Sequence, residues 1–271
     1  MVFFRSRSVH APAGPRGHRG YVVGDVHGRL DLLDHLLATI EADLAERPTR
    51  RATLIFVGDL IDRGPHSAQV VERLRTYRHS GLSTIFLLGN HEEVLLRILE
   101  GESTLIAKWR WFGGKECMES YGADAAEFGR LDERDALQQA RDLVPKTHVD
   151  FLMSFADTCR FGDYLIVHAG IRPGIEFERQ SQEDLRWIRG PFLEHQGDHG
   201  FVVVHGHTIV PEVVETENRI AIDTGAYRTG RLTALVIDGP ERRYLTAVAP
   251  EPVAERPGQA GASIDSRGSG D

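Results

Sequence analysis

Leu54-Ile55-Phe56-Val57-Gly58-Asp59-Leu60-Ile61-Asp62-Arg63-Gly64 is the stretch on which the reading of the fold turns. Its first four residues are β-branched, aliphatic or aromatic and read as a strand. A glycine ends the run. Two aspartates and an arginine then appear in a loop, where an Asp-Arg pair serves few structural needs beyond a surface ion pair. A strand that stops at a polar loop is the usual setting for a ligand site in an α/β sheet.

The same pattern recurs on both sides, so that five apolar runs each end in a short polar string. Tyr21-Val22-Val23 leads into Gly24-Asp25-Val26-His27-Gly28, and Ile85-Phe86-Leu87-Leu88 into Gly89-Asn90-His91-Glu92. Further on, Leu165-Ile166-Val167 leads into His168-Ala169-Gly170, and Val202-Val203-Val204 into His205-Gly206-His207-Thr208. Each string alone has an ordinary reading. Asp and Asn are turn residues, Asn90 could cap the next helix, and a lone His is often a satisfied core residue. Their recurrence at successive strand ends points to one convergent site.

Between these runs, Leu30, Leu33, Leu36, Leu37, Ile40 and Leu44 recur at helical spacing. Helices are also expected over 67–77 and 92–99, and a strand over 83–88. This alternation predicts an α/β fold with helices covering a sheet. Residues 107–155 are helical but irregular and read as an inserted cap, centred on Trp109-Arg110-Trp111-Phe112-Gly113-Gly114. Strands over 164–167, 201–204, 219–222, 232–237 and 244–248 follow closely, so part of the sheet is expected to be antiparallel, in a two-sheet sandwich flanked by helices. The expected organisation is a disordered tail over 1–19, one domain over 20–248 with the cap at about 103–156, and a second disordered tail over 249–271.

Composition narrows the function. The chain has 271 residues, enough to bury a core without a disulfide or structural metal, so a metal here is expected to be catalytic. A net charge of −8 argues against non-specific nucleic-acid or membrane-surface binding, so phosphate recognition needs local positive charge. Cys117 and Cys159 form no CxxC pair and suggest a reducing compartment. With no signal-peptide core and no apolar run long enough to span a bilayer, the expected location is the cytoplasm.

Asp25, His27, Asp59, Asn90, His168 and His207 offer three oxygen and three nitrogen ligands. One metal cannot use all six and keep a position for substrate, whereas two metals can if one carboxylate bridges them. Mixed imidazole and carboxylate suit Mn, Fe or Zn rather than Ca. Two such ions about 3.5–4 Å apart activate a water and clamp phosphoryl oxygens. The expected reaction is phosphoester hydrolysis by direct attack of a hydroxide bridging the metals.

In order and content the motifs resemble the phosphoprotein phosphatase branch of the calcineurin-like metallophosphoesterases, in particular bacterial and phage lambda-type Ser/Thr protein phosphatases. The resemblance covers roughly residues 20–237. It implies a four-layer αββα sandwich and two divalent transition metals, Mn foremost. Asp25, His27 and Asp59 would hold one ion; Asp59, Asn90, His168 and His207 would hold the other. His91 matches the general acid, Asp62 the carboxylate that orients it, and Arg63 a phosphate-binding arginine. Arg189 matches a second phosphate arginine, with Arg186 three residues away as the competitor. Asp223-Thr224-Gly225-Ala226 resembles a structural segment near the site, and His66, His205 and Glu92 read as supporting groups. Phe112 departs from the pattern, which has Asn before the Gly-Gly pair.

The substrate implied is phosphoserine or phosphothreonine in proteins, or a small phosphoester. Two other readings share the motifs: a symmetrical bis(5'-nucleosyl)-tetraphosphate hydrolase, against which Asp62 and Glu92 speak, and a catalytically silent binding module, against which the intact ligand set speaks.

Overall fold

A computed structural model describes residues 11–249. The expected tails lie partly outside that range, over 1–10 and 250–271. Two five-stranded sheets pack face to face. The first holds β1 (His18–Val23), β2 (Arg51–Phe56), β3 (Ser83–Phe86), β9 (Arg231–Asp238) and β10 (Glu241–Val248), in the order β10-β9-β1-β2-β3. The second holds β4 (Thr158–Phe161), β5 (Tyr164–Val167), β6 (Val202–His205), β7 (Val214–Glu215) and β8 (Arg219–Ala221), in the order β4-β5-β6-β8-β7.

Side-chain alternation along each strand builds the layers. Val22 and Ile55 point into the space between the sheets, where they meet Tyr164, Ile166, Val202 and Val204. Their neighbours Tyr21, Val23, Leu54 and Phe56 point the other way, onto Leu33, Leu36, Leu37 and Ile40 of α1 (Leu30–Glu46). On the far side, Leu165, Val167 and Val203 pack against Leu185 and Phe192, from α9 (Gln182–Trp187) and α10 (Gly190–Leu193). Both faces of the central strands are therefore covered, which is why those strands read as unbroken apolar runs.

The parallel strands are the chemically important ones. β1, β2 and β3 run parallel in one sheet, and β5, β6 and β8 run parallel in the other. Antiparallel partners sit at the edges, with β9 and β10 beside β1 and with β4 and β7 at the ends of the second sheet. The expected mixture of parallel and antiparallel pairing is present. The short strands β4 and β7 carried no apolar run and were not anticipated.

The N-terminal boundary needs correcting. β1 begins at His18, and the chain before it is already fastened: Ala13 N–H donates to Asp163 Oδ2 (2.9 Å) and Gly14 N–H to Gly239 O (2.7 Å). Arg19, expected in a basic tail, is buried and paired with Asp238 at 2.7 Å. Pro, Gly and Arg made this segment look unstructured, but its polar groups find partners across the sheet. Helix α2 (Ser67–Arg75) follows β2, and between α3 (Asn90–Glu100) and β4 the chain forms α4 (Leu105–Trp109), a kink over Arg110–Gly114, α5 (Lys115–Ser120), α6 (Ala125–Phe128), α7 (Glu133–Leu143) and α8 (Lys146–Met153). No helix among the described residues is long and apolar enough to cross a membrane.

Candidate metal centre

The C-terminal ends of β1, β2, β3, β5 and β6 bring the expected residues into one polar pit. Asp59 lies at its middle. Its Oδ2 is 3.6 Å from His27 Nε2, 3.4 Å from His168 Nε2 and 3.9 Å from His91 Nε2. Asn90 Oδ1 lies 2.9 Å from His168 Nε2 and 2.8 Å from His207 Nδ1. Asn90 therefore does not cap its helix; its side chain faces two imidazoles. Asp25 Oδ2 accepts the His207 N–H at 3.0 Å, which ties the β1 tip to the β6 tip.

Two groups of side chains are close enough to share an ion: His27, Asp59 and His91, and Asp59, His168 and His207. Asp59 belongs to both, as a bridging ligand must. By distance His91 also qualifies in the first group, with its other nitrogen engaged by Asp62 at 2.6 Å. Asp25 completes the picture differently. Its Oδ1 is buried without a hydrogen-bond partner, as is His207 Nε2. Buried polar atoms are rarely left unpaired, so an unpaired carboxylate oxygen and an unpaired imidazole nitrogen in one pit fit divalent metal ligation.

Backbone hydrogen bonds aim the rings. His27 Nδ1 lies 2.8 Å from Ile61 O and His168 Nδ1 2.9 Å from Val57 O. In each case the carbonyl orients the imidazole and leaves Nε2 for the pit. His27, Asp59, Asp62, Arg63 and His207 all have φ between 45° and 71°. This left-handed conformation costs a non-glycine residue about 1–3 kcal/mol and persists only where surroundings impose it.

The electrostatics want a cation. Burial, and then the charges of Asp223 and Asp59, push the Asp25 carboxyl well above the usual carboxylate range. Burial would do the same to Asp59, but the charges of His168 and His91 and the hydrogen bond with His168 outweigh it and hold Asp59 well below that range. Burial lowers His27 and His207 well below the usual imidazole range, so both are neutral and available as ligands. Asp223 is pushed up to about 6, chiefly by burial, while its Oδ1 accepts the Gly225 N–H.

The arginines expected to bind phosphate sit beside this pit. Arg63 Nη2 lies 3.5 Å from His91 Nε2, and its guanidinium stacks 4.6 Å from the Tyr227 ring centroid. Arg63 Nη1 also donates to the Tyr227 hydroxyl. Arg186 and Arg189 differ in their partners. Arg186 is bound to Asp157 at 2.5 Å and to Glu93 at 3.4 Å. Arg189 has no carboxylate partner among the described residues, and its Nη2 reaches the His207 carbonyl at 3.4 Å on the rim of the pit.

Two contributors escaped the sequence reading, and a third was read only in general terms. Tyr227 followed the Asp223–Ala226 segment without a signal of its own. Glu92 was noted only as a supporting group. Its carboxylate accepts N–H bonds from Gly89 (3.1 Å), Asp59 (2.9 Å), Leu60 (2.7 Å) and Ile61 (3.3 Å), clamping the β2 loop to the start of α3. Trp109 lay in the aromatic cluster, but nothing in the sequence tied it to Asp62. Of the remaining supporting groups, His205 is buried with Nδ1 on the Gly206 carbonyl at 3.0 Å, and the His66 N–H donates to Gly28 O at 3.0 Å beside an exposed ring. A cleft of about 740 Å³ at the β3 edge, lined in part by Arg75, Arg78 and Phe151, contains none of the site residues.

Fold and site together define a metal-dependent phosphoric ester hydrolase. The calcineurin-like phosphoesterase family model matches residues 19–233, and the chain belongs to that family. It is 28% identical over 237 residues to an asymmetrical bis(5'-nucleosyl)-tetraphosphatase PrpE of Anoxybacillus flavithermus, covering 79% of this chain and 88% of the relative. It is 29% identical over 222 residues to serine/threonine-protein phosphatase 1 of Salmonella typhimurium, covering 79% and 89%. A crystal structure provisionally named a diadenosine tetraphosphatase shares the fold, with TM-score 0.59 and 21% identity over 88% of this chain and 99% of that one.

Proposed function

We propose that this chain is a dinuclear-metal phosphomonoesterase acting on phosphoserine or phosphothreonine in proteins and on small phosphoesters. Asp25, His27 and Asp59 would hold one divalent ion, and Asp59, Asn90, His168 and His207 the other. The mixed imidazole and carboxylate set suits Mn, with Fe or Zn as alternatives. When bound, the ions supply an acidified water and neutralise charge on the phosphoryl oxygens.

The chain's own groups then have separable tasks. Arg63 and Arg189 bind phosphoryl oxygens; the planar guanidinium can hold two at once. Tyr227 braces Arg63 from behind. His91 gives the proton on Nε2 to the leaving oxygen while Asp62 retains the Nδ1 side. Glu92 keeps the Asp59 loop and the Asn90-His91 turn in register.

The observation that carries this reading is the His91–Asp62 pair at 2.6 Å, with His91 Nε2 facing Arg63 and Asp59. A serine or threonine alkoxide is a strongly basic leaving group and needs a proton as it departs. A nucleotide phosphate leaves readily without one. An oriented acid is thus most useful to an alkyl phosphate esterase. The naming of relatives as asymmetrical tetraphosphatases supports a second reading, cleavage of a dinucleoside polyphosphate. Among dinucleotide activities that is a different one from the symmetrical cleavage weighed on sequence grounds. Turnover of a phosphoserine peptide and of diadenosine tetraphosphate on one Mn-reconstituted preparation separates the two. We expect the peptide to be the better substrate, and dominant dinucleotide cleavage would reverse the ranking. The two thiols are free, and the cytoplasm is our proposed location.

A further inference from the structure

Asp62 is fully buried, and two donors converge on one of its oxygens. His91 Nδ1 lies 2.6 Å from Oδ2, and the Trp109 indole N–H donates to the same atom at 2.9 Å. Indole nitrogen can only donate. The other oxygen, Oδ1, has no hydrogen-bond partner among the described residues; the thiol of Cys117, a weak donor, lies nearby. Among the described residues, Trp109 is therefore the one strong donor to this carboxylate apart from the imidazole it serves.

The element carrying Trp109 is built around that contact. Trp109 is 1% exposed at the end of α4. Four residues later the Gly113 carbonyl accepts the Arg63 N–H at 3.3 Å. Gly113 has φ 104°, and a Cβ there would lie 2.1 Å from Arg63 N. A Cβ on Gly114 would lie 2.4 Å from the Trp109 indole. The turn thus closes on Asp62 through a side chain and on Arg63 through its backbone, although it supplies none of the proposed metal ligands.

We infer that Trp109 is a positioning residue for proton delivery. Its N–H fixes Asp62 Oδ2 where that atom holds His91 Nδ1–H, so that Nε2–H stays aimed at the ester oxygen. The inference rests on His91 being the acid. In the step itself, the oxygen of a water that has given one proton to solvent bonds to phosphorus, keeping its second proton on the phosphate formed, and the ester P–O bond breaks. The Nε2 proton passes to the leaving oxygen, which leaves His91 neutral with Nδ1–H still on Asp62. Misaiming that proton hurts most when the leaving oxygen is most basic.

Trp109→Phe keeps the ring and removes the donor. On the Mn-loaded enzyme we expect kcat to fall roughly tenfold more on a phosphoserine peptide than on p-nitrophenyl phosphate, with KM little changed; this is about the effect of losing one hydrogen bond to a charged group. Benzothienylalanine at 109, which replaces N–H by sulfur in the same shape, should give the same split and covers the case of a poorly folded Phe variant. Equal losses on both substrates, or no loss, would overturn the inference and leave Trp109 a packing residue. His91→Asn is run alongside. If it shows the leaving-group split and the two Trp109 variants do not, only the inference fails. If His91→Asn itself affects both substrates alike, the acid role fails and the inference falls with it.

Discussion

His91, Asp62 and Glu92 show how differently neighbouring polar residues are used. His91→Asn removes the proton donor while leaving the proposed metal ligands in place. Its kcat on a phosphopeptide should fall by roughly 10²–10⁴-fold with both ions retained; undiminished turnover would remove His91 from the mechanism. Glu92 acts through backbone. Glu92→Ala strands the N–H groups of Gly89, Asp59, Leu60 and Ile61, at about 1–3 kcal/mol for each left unsatisfied. Urea denaturation should therefore show a loss of at least about 4 kcal/mol, and an unchanged midpoint would mean that water or relaxation replaces the carboxylate. The proposed ligands were legible in sequence because acids, amides and histidines placed directly after apolar strands have few other uses. Trp109 and Tyr227 were not, since an aromatic with a polar tip looks like core until its partner is seen. Arg186 and Arg189 could be told apart only by the acids near them, and Asp157 and Glu93 are far from both in sequence.

At the scale of elements, strand-to-loop punctuation was readable and the turn after α4 was not. The chain kinks between Arg110 and Gly114 because Gly113 takes a positive-φ conformation that side chains resist. Composition there suggested only an irregular cap. Gly113→Ala tests its role: the methyl would collide with Arg63 N, so the Asp62-Arg63 loop must shift. We expect at least a tenfold loss of kcat/KM, the cost of displacing one phosphate contact by about 1.4 kcal/mol. Wild-type kinetics would show that the turn yields instead of the loop. The edge strands β4 and β7 escaped notice for a different reason. At the rim of a sheet a strand needs no continuous apolar run.

For the whole molecule, the two-sheet sandwich follows from strands that alternate between two apolar layers, and that was legible from the sequence. The place where the fold begins was not, because Arg19 and Asp43 are partners only after β1, α1 and β10 have assembled. Asp43 accepts from the Tyr21 hydroxyl at 2.7 Å and is paired with Arg243 at 2.5 Å. Burial alone would raise its carboxyl, but hydrogen bonds from Arg243 and Tyr21 and the charges of Arg243 and Arg19 hold it below the usual range. A carboxyl lowered on folding stabilises the fold above its unfolded pKa of about 3.9 and loses that contribution as pH falls through the folded value. Asp43→Asn should therefore cost about 1–3 kcal/mol at neutral pH, with the gap to wild type narrowing below about pH 4; a gap independent of pH would contradict the assignment. Bound metal should add to stability as well. Ions at about a hundred times their Kd contribute about 2.7 kcal/mol each, so chelation should lower Tm by several degrees.

Anomalous X-ray scattering from crystals grown with Mn tests the dinuclear centre most directly. The site geometry predicts two peaks about 3.5–4 Å apart, flanking the Asp59 carboxylate, with Asp25 and His27 on one and Asn90, His168 and His207 on the other. A single peak, or none at the ends of β1, β2, β3, β5 and β6, would contradict it.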